Sequence, residues 1–320
     1  MSDESSGRGQ HRPPNLSNDV EAIIRRIQAT YNTWGRGTTV DQMRADWDRL
    51  FSAKGNASTT PVMASGVACQ WVAAPGVTED KVVVYFHGGG FQIGSLSSHH
   101  ELMANLSAAS GARVLGVDYR MTPEHRYPAP LEDGLVVMSW LESQGFLSAD
   151  VALAGDSAGG GLALAVMLAL GQHRRPMPAA AVVMSAWTDM TISGASYETR
   201  SALDPIHQRP MLLALSRNYL GKTQDPTDPL ASPLLASSQQ LASLPPLLLQ
   251  VGERETLVSD SEELANKVVA AGGQAQCQIW PGMIHVFQQF PAELDAARQA
   301  IASAGAFLSG HLSLTSTAAT

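Results

Sequence analysis

Short apolar runs alternate along the chain with longer stretches in which apolar residues recur every three or four positions. The runs are Val82–Phe86, Val114–Asp118, Val151–Ala154, Ala181–Met184 and Leu247–Val251, and each reads as a strand. The stretches at roughly 100–110, 131–144, 158–171 and 261–271 read as helices. Continuous apolar strands separated by helices predict a parallel sheet covered on both faces. Upstream, Val20, Ile23, Ile24 and Ile27, then Met43, Trp47 and Leu50, fall at helical spacing. They predict two helices within 18–52, and a Gly/Ser/Thr-rich stretch from Gly55 to Thr60 separates these from the sheet region. Residues 190–240 carry Tyr197, Pro205, Pro210, Met211, Leu212 and Leu213 but no strand of their own. An insertion of that size between core strands predicts a lid, the alternative being a surface excursion without a role. Residues 1–16 are polar and contain Pro13-Pro14, which predicts a disordered leader, and 311–320 read as a flexible tail.

Composition narrows the class. A chain of 320 residues that is 44% hydrophobic can bury a substantial core, and 16% charged residues exclude a disordered polyelectrolyte. Lys+Arg number 21 against 29 Asp+Glu, a net −8, which argues against a general nucleic-acid binder. The longest uncharged apolar stretch, Ser157–Gln172, is too short to cross a bilayer, so no membrane insertion is expected. Met1–Val20 lacks the apolar segment of a secretion signal, which predicts a cytoplasmic protein. Cys69 and Cys277 fit neither a zinc motif nor a redox pair. Each sits in an alternating run and is predicted to face the core, with a disulfide between them left open.

The chemistry concentrates at strand ends, where functional loops of such a sheet gather. Gly155-Asp156-Ser157-Ala158-Gly159 follows the run Val151–Ala154 and opens a helix. The pentapeptide gains its weight from that strand–turn–helix setting. A serine at such an elbow projects its hydroxyl above the sheet, and small neighbours two positions away let strand and helix approach. His87-Gly88-Gly89-Gly90 directly follows the run Val82–Phe86. Consecutive glycines expose backbone N–H groups of the kind an oxyanion hole requires. A serine needs a base and the base needs a carboxylate, in the chain order Ser, acid, His. Of the two histidines after residue 207, His285 follows the strand-like Gln276–Trp280, whereas His311 lies in the tail. Glu253, Glu255 and Asp260, just past Leu247–Val251, are the candidate acids. Asp260 precedes a helical run with Glu263 three residues on, in the manner of a helix N-cap.

His87-Gly-Gly-Gly, Asp118-Tyr-Arg-Met-Thr-Pro-Glu-His125 with Pro128-Ala129, and Gly155-Asp-Ser-Ala-Gly-Gly160 together resemble the bacterial hormone-sensitive-lipase-like esterases, family IV. The likeness runs from about Val82 to Phe287 and is weaker in the N-terminal helices. It implies an α/β-hydrolase fold: a mostly parallel central sheet, helices on both faces and a helical cap. The implied division is a cap part at 17–54, core at 55–189, a cap insertion at 190–240, and core again at 241–310. It implies hydrolysis of short-to-medium acyl esters through an acyl-enzyme, with no metal or organic cofactor.

By the same resemblance Ser157 is the nucleophile and His285 the base. Glu255 falls at the family's acid position in Gly-x-x-Asp/Glu-x-Leu, where Asp is commoner. Gly88, Gly89 and Ala158 match the oxyanion-hole N–H donors, with His87 and Asp156 as supports behind them. Arg120 matches a structural network, and Met121-Thr122 replace the more usual Leu-Ala. Trp187, Phe91, Val286, Phe287, Met211 and Leu212 are candidate pocket walls, core packing being the alternative for each. The size of Trp187 suggests a narrow acyl pocket. Lactone hydrolysis by the same triad is one alternative. A non-catalytic binding module is another, as in the plant gibberellin receptor, which resembles this family but lacks the catalytic histidine. The expected partner is a small-molecule ester. Gln276–Trp280 is expected at the sheet edge, where its unpaired ladder could join a second copy.

Overall fold

The computed structural model describes residues 18–312; the predicted leader and the tail beyond Leu312 lie outside the described residues. Among these residues the sheet has eight strands: β1 Ser58–Ala64, β2 Val67–Ala73, β3 Thr78–Phe86, β4 Ala112–Val117, β5 Val151–Asp156, β6 Ala181–Met184, β7 Leu247–Gly252 and β8 Ala275–Trp280. Their spatial order is β1-β2-β4-β3-β5-β6-β7-β8. The pairs β1/β2 and β2/β4 are antiparallel, and every other pair is parallel. Strands β5, β6 and β7, and β3 from Val82 on, lie inside the sheet and are mostly apolar, as burial on both faces requires. The apolar runs did not announce β1, a Ser/Thr-rich edge strand whose residues are mostly exposed.

Among the described residues ten α-helices accompany the sheet. They are α1 Asn18–Tyr31, α2 Val40–Leu50, α3 His100–Ser110, α4 Ala129–Ser143, α5 Ser157–Gln172, α6 Ser196–Thr199, α7 Arg209–Leu220, α8 Ser238–Ala242, α9 Val258–Ala270 and α10 Asp295–His311. Leu131 and Leu141 of α4, Leu162 and Val166 of α5, and Leu264 of α9 pack against one face. Leu102 and Leu106 of α3 and Ile301 and Leu308 of α10 pack against the other. Val20, Ile23 and Ile27 of α1 form a third cluster with Phe51, Ile284, Phe287 and Phe290, which seats the N-terminal helices beside the last loop of the core. Among the described residues no helix is long and apolar enough to cross a membrane.

Two expectations are corrected. Cys69 is buried in the core, but Cys277 is only partly buried, because β8 is an edge strand with one open side. Both are free, and a bond between them is excluded: six strand steps separate β2 from β8, roughly 29 Å at about 4.8 Å per step. His311, assigned to the tail, instead ends α10, with its ring nitrogen Nδ1 2.8 Å from Phe307 O.

The packing of α10 on α3 has no spare volume at Gly305, where an added Cβ would lie 2.4 Å from the Ala109 backbone. Gly310, on the same helix, has nothing within 4 Å of that position. Gly305→Ala is expected to destabilise by about 1–3 kcal/mol through overpacking. Gly310→Ala should stabilise by up to about 1 kcal/mol through helix propensity. Urea unfolding of both variants checks the contrast, and equal effects at the two sites would contradict it.

Candidate active site

Ser157 stands between β5 and α5 with φ 52°, a left-handed conformation unusual for a residue with a side chain. The neighbouring glycines explain how the turn closes. A Cβ on Gly159 would sit 2.0 Å from Phe86 O, and one on Gly155 would sit 2.5 Å from Gly159 O. Neither position admits a larger residue. Trp187 N–H donates to Ser157 O at 2.9 Å, tying the elbow to the chain leaving β6. Ala158 N–H lies in the first turn of α5, where amides have no intrahelical acceptor.

The glycine loop after β3 is held from below by Asp156. Its Oδ1 accepts from Gly88 N–H at 2.9 Å and from Tyr85 O–H at 2.6 Å, while Oδ2 faces His99 Nε2 at 3.3 Å. Burial opposes ionisation of Asp156, but His99 and the Tyr85 hydroxyl outweigh it and hold the carboxyl below its usual range. His87 stacks on Tyr119 with ring centroids 4.5 Å apart, and its Nδ1–H donates to Gly88 O at 2.8 Å. Burial, with His99 close by, pushes the His87 pKa down to about 4, so the ring is neutral. His87 and Asp156 thus both grip the glycine loop.

This arrangement corrects one expected donor. The Gly88 N–H is committed to Asp156, and Gly88 does not line the cavity above Ser157. Gly89 and Gly90 do line it. Neither has an N–H acceptor among the described residues. Among the glycines of this loop, the amides at the cavity that remain uncommitted are therefore those of Gly89 and Gly90. Gly89 adopts φ 116°, and a Cβ there would lie 2.1 Å from Ile93 O.

Of the three candidate acids, one meets the base. Glu255 Oε2 accepts from His285 Nδ1–H at 2.7 Å. Glu255 Oε1 accepts from Ser185 O–H at 2.7 Å and from Gly252 N–H at 2.5 Å. Glu255 is fully buried and His285 nearly so. Burial alone would lower the His285 pKa, but the Glu255 carboxylate and its hydrogen bond carry it above the ordinary value. With Nδ1 taken, Nε2 is the ring nitrogen left for the cavity. Glu253 turns elsewhere and accepts from Gly282 N–H at 2.9 Å. Asp260 is not the N-cap of α9, a position held by Leu257. Its carboxylate lies inside the protein, accepting from Thr188 N–H, Asp189 N–H and Tyr197 O–H at 2.7–3.1 Å. Burial pushes its pKa up to about 7.

A cavity of about 330 Å³ opens above Ser157 and His285. Trp187, Val286, Met211 and Leu212 line it. Phe91 and Phe287 do not. Phe91 stacks on Tyr219 at 3.7 Å inside the core, and Phe287 packs among the residues that seat α1. Both flank functional motifs, but their own backbone turns point them inward. The sequence reading missed the wall built by Tyr31, Trp34, Met43, Trp47 and Phe51 of the N-terminal helices and their flanks. Apolar helical spacing was the available signal, and it reads equally well as packing. Ser185, His99 and His207 were also missed, and a single sequence marks none of them. Arg120, as expected, joins a structural network, with its backbone N–H and Nε on Asp133.

Residues 83–289 match a family model described as the alpha/beta hydrolase fold. The chain is 38% identical over 295 residues to an acetyl-hydrolase of Streptomyces hygroscopicus, covering 91% of this chain and 96% of that protein. It is 33% identical over 259 residues to an esterase of Acinetobacter venetianus, covering 81% of this chain and 84% of that one. Among solved structures, an esterase from the bacterial hormone-sensitive lipase family is similar with a TM-score of 0.88 at 38% identity, covering 93% of this chain and 99% of that one.

The Glu255–His285 contact makes a direct prediction. His285 should titrate above about 6.5, the ordinary histidine value. In Glu255→Gln the burial remains and the anion is gone, so its pKa should fall below that value. An NMR titration of the imidazole carbons checks this, and an unchanged midpoint would remove Glu255 as the partner.

Proposed function

Because the chain belongs to the hormone-sensitive-lipase-like esterases of α/β-hydrolase fold, it is a carboxylic-ester hydrolase, and we propose that Ser157, His285 and Glu255 perform the reaction. The reading rests chiefly on one observation. A serine in left-handed strain shares a cavity with a histidine whose other nitrogen is 2.7 Å from a buried carboxylate. In the mechanism, His285 Nε2 takes the Ser157 proton as the hydroxyl oxygen attacks the ester carbonyl. Gly89, Gly90 and Ala158 N–H groups receive the oxyanion. His285 then gives the proton to the departing alcohol, and water cleaves the acyl-enzyme by the same path. Glu255 holds the imidazole with its proton on Nδ1 and stabilises the imidazolium. The cap in this reading comprises the N-terminal helices and the insertion at 190–240.

Substrate class follows from the cavity walls. No Lys or Arg lines the cavity among the described residues, and Asp156 lies at its floor, so a neutral ester is favoured over an anionic one. About 330 Å³ is at the small end for a small-molecule site, which fits short-to-medium acyl chains. We assign Trp187, 1% exposed with its indole N–H on Asp189 O at 3.1 Å, as the wall that limits acyl length.

p-Nitrophenyl esters of two to twelve acyl carbons test the whole reading. Activity should peak at short chains, and Ser157→Ala should cost on the order of a millionfold in kcat. Glu255→Gln should cost about 10⁴-fold, and because His285 must be neutral to act as base, wild-type kcat/KM should fall as pH drops through its raised pKa. Trp187→Ala should move the optimum to longer chains, and an unchanged profile would sink its role. Equal rates for wild type and Ser157→Ala would sink the triad.

The edge of the sheet supports one further assignment. Strand β8 pairs only with β7, and Ile279 on it is 40% exposed. We propose a homodimer through this edge. Sedimentation equilibrium should return twice the chain mass, reduced to the monomer mass by Ile279→Lys; a wild-type monomer at tens of micromolar would overturn it.

A further inference from the structure

His207 lies in the cap insertion, is 8% exposed and lines the same cavity as Ser157 and His285. Its ring stands edge-on to that of His285, with centroids 4.2 Å apart and planes at 76°. Neither ring nitrogen has a hydrogen-bond partner among the described residues. Nδ1 is sealed from solvent, so Nε2 is the nitrogen that keeps contact with the cavity. Nε2 is therefore free to pair with a molecule bound in the cavity, as polar groups inside folded proteins nearly always pair.

The residue is held firmly. Asp204 Oδ1 accepts from His207 N–H at 2.9 Å and from Ile206 N–H at 2.8 Å. Asp204 Oδ2 accepts from Thr256 N–H at 2.8 Å and Thr256 O–H at 3.1 Å. Thr256 directly follows Glu255, so one buried carboxylate bolts the loop carrying His207 to the loop carrying the acid. Burial and the neighbouring His285 drive the His207 pKa well below its ordinary value, against the pull of Asp204. Its imidazole is therefore neutral, with one nitrogen a donor and the other an acceptor. Either form can pair with a hydroxyl.

Position selects the half of the substrate. His285 must reach the leaving oxygen to protonate it, so the atoms beyond that oxygen lie around the His285 ring. His207, whose ring adjoins that of His285, offers a polar group there. We propose that His207 is a specificity-determining residue that hydrogen-bonds a hydroxyl on the alcohol half of the ester, so that the enzyme prefers monoesters of diols to esters of plain alkanols. This rests on the triad assignment above and adds the alcohol class to it. Its neighbours on the same insertion, Met211, Leu212 and Leu215, are apolar and cannot supply such a bond.

The test compares kcat/KM for 2-hydroxyethyl butanoate and ethyl butanoate. Wild type should favour the hydroxyethyl ester, and His207→Leu and His207→Phe should reduce that ratio about fivefold or more, the worth of one neutral hydrogen bond. His207→Asn, which can still donate and accept, should retain part of it. A ratio that is the same in wild type and variants, even if both rates fall, would overturn the proposal by leaving His207 a packing residue. A ratio that changes only for ethyl 3-hydroxybutanoate would overturn it by moving the contact to the acyl half. A measurement on wild type alone guards against variants that do not fold: the acyl-enzyme should transfer its acyl group to ethane-1,2-diol faster than to ethanol. Equal transfer would overturn the proposal, whereas no hydrolysis of any ester would instead bring down the triad.

Discussion

The site depends on how closely the start of α5 approaches the exits of its neighbouring strands. At Gly159 the backbone comes so near Phe86 O that a Cβ would lie 2.0 Å away, and at Gly161 so near Trp187 O that it would lie 2.2 Å away. This clearance forces the turn between β5 and α5 to be tight, and the tight turn forces Ser157 to φ 52°. Everything else is placed relative to that turn. Asp156, one residue before, reaches under the glycine loop to hold Gly88, and Trp187 closes the opposite side by donating to Ser157 O. Strain at a reactive residue persists only when its surroundings over-determine it, and here two strands and a helix do so.

The same logic extends to the other loops. The described non-glycine residues with positive φ number seven, and four of them, Phe91, Ser157, Ser185 and Val286, belong to the loops that form the site. Each is pinned by contacts reaching across the sheet. Thr122 N–H and O–H both donate to Phe91 O, and Ser185 O–H donates to Glu255 while its oxygen accepts from Val286 N–H. Ser185 thereby joins the acid loop to the base loop through one hydroxyl. A strained turn of this kind costs on the order of 1–3 kcal/mol, comparable with what two or three such hydrogen bonds contribute.

How much of this was legible follows from what each feature requires locally. The inner strands and the helices on the two faces were legible because continuous apolar runs and helical spacing are properties of single segments. Ser157, His285 and the glycine loop were legible because an elbow and a donor loop need particular residues at adjacent positions. The acid required the resemblance: Glu253, Glu255 and Asp260 lie within eight residues, and only the three-dimensional path of the loop sends one to His285, one to Gly282 and one into the protein beside Tyr197. Gly88 was misread for a related reason. All three glycines expose N–H groups in the sequence, but Asp156, 68 residues away, claims the first. Phe91 and Phe287 were misread because adjacency to a motif says nothing about which way a side chain turns when the backbone there is left-handed or helical. Strand β1 escaped notice because an edge strand with an exposed face need not be apolar.

Two buried acids show why proximity in sequence is a poor guide to role. Glu255 and Asp260 are both fully buried. Asp260 meets only neutral donors, and burial moves it toward the protonated form. Glu255 meets a histidine that can take a positive charge, and the two groups can compensate each other. Asp260 braces Thr188 and Asp189 after β6 and, through Tyr197, the cap. Asp204 does the matching work from the cap side, gripping Thr256 beside Glu255. The insertion at 190–240 is thus bound to the core just past Glu255 by two buried carboxylates: Asp204 of the insertion holds Thr256, and Asp260 of the core holds Tyr197.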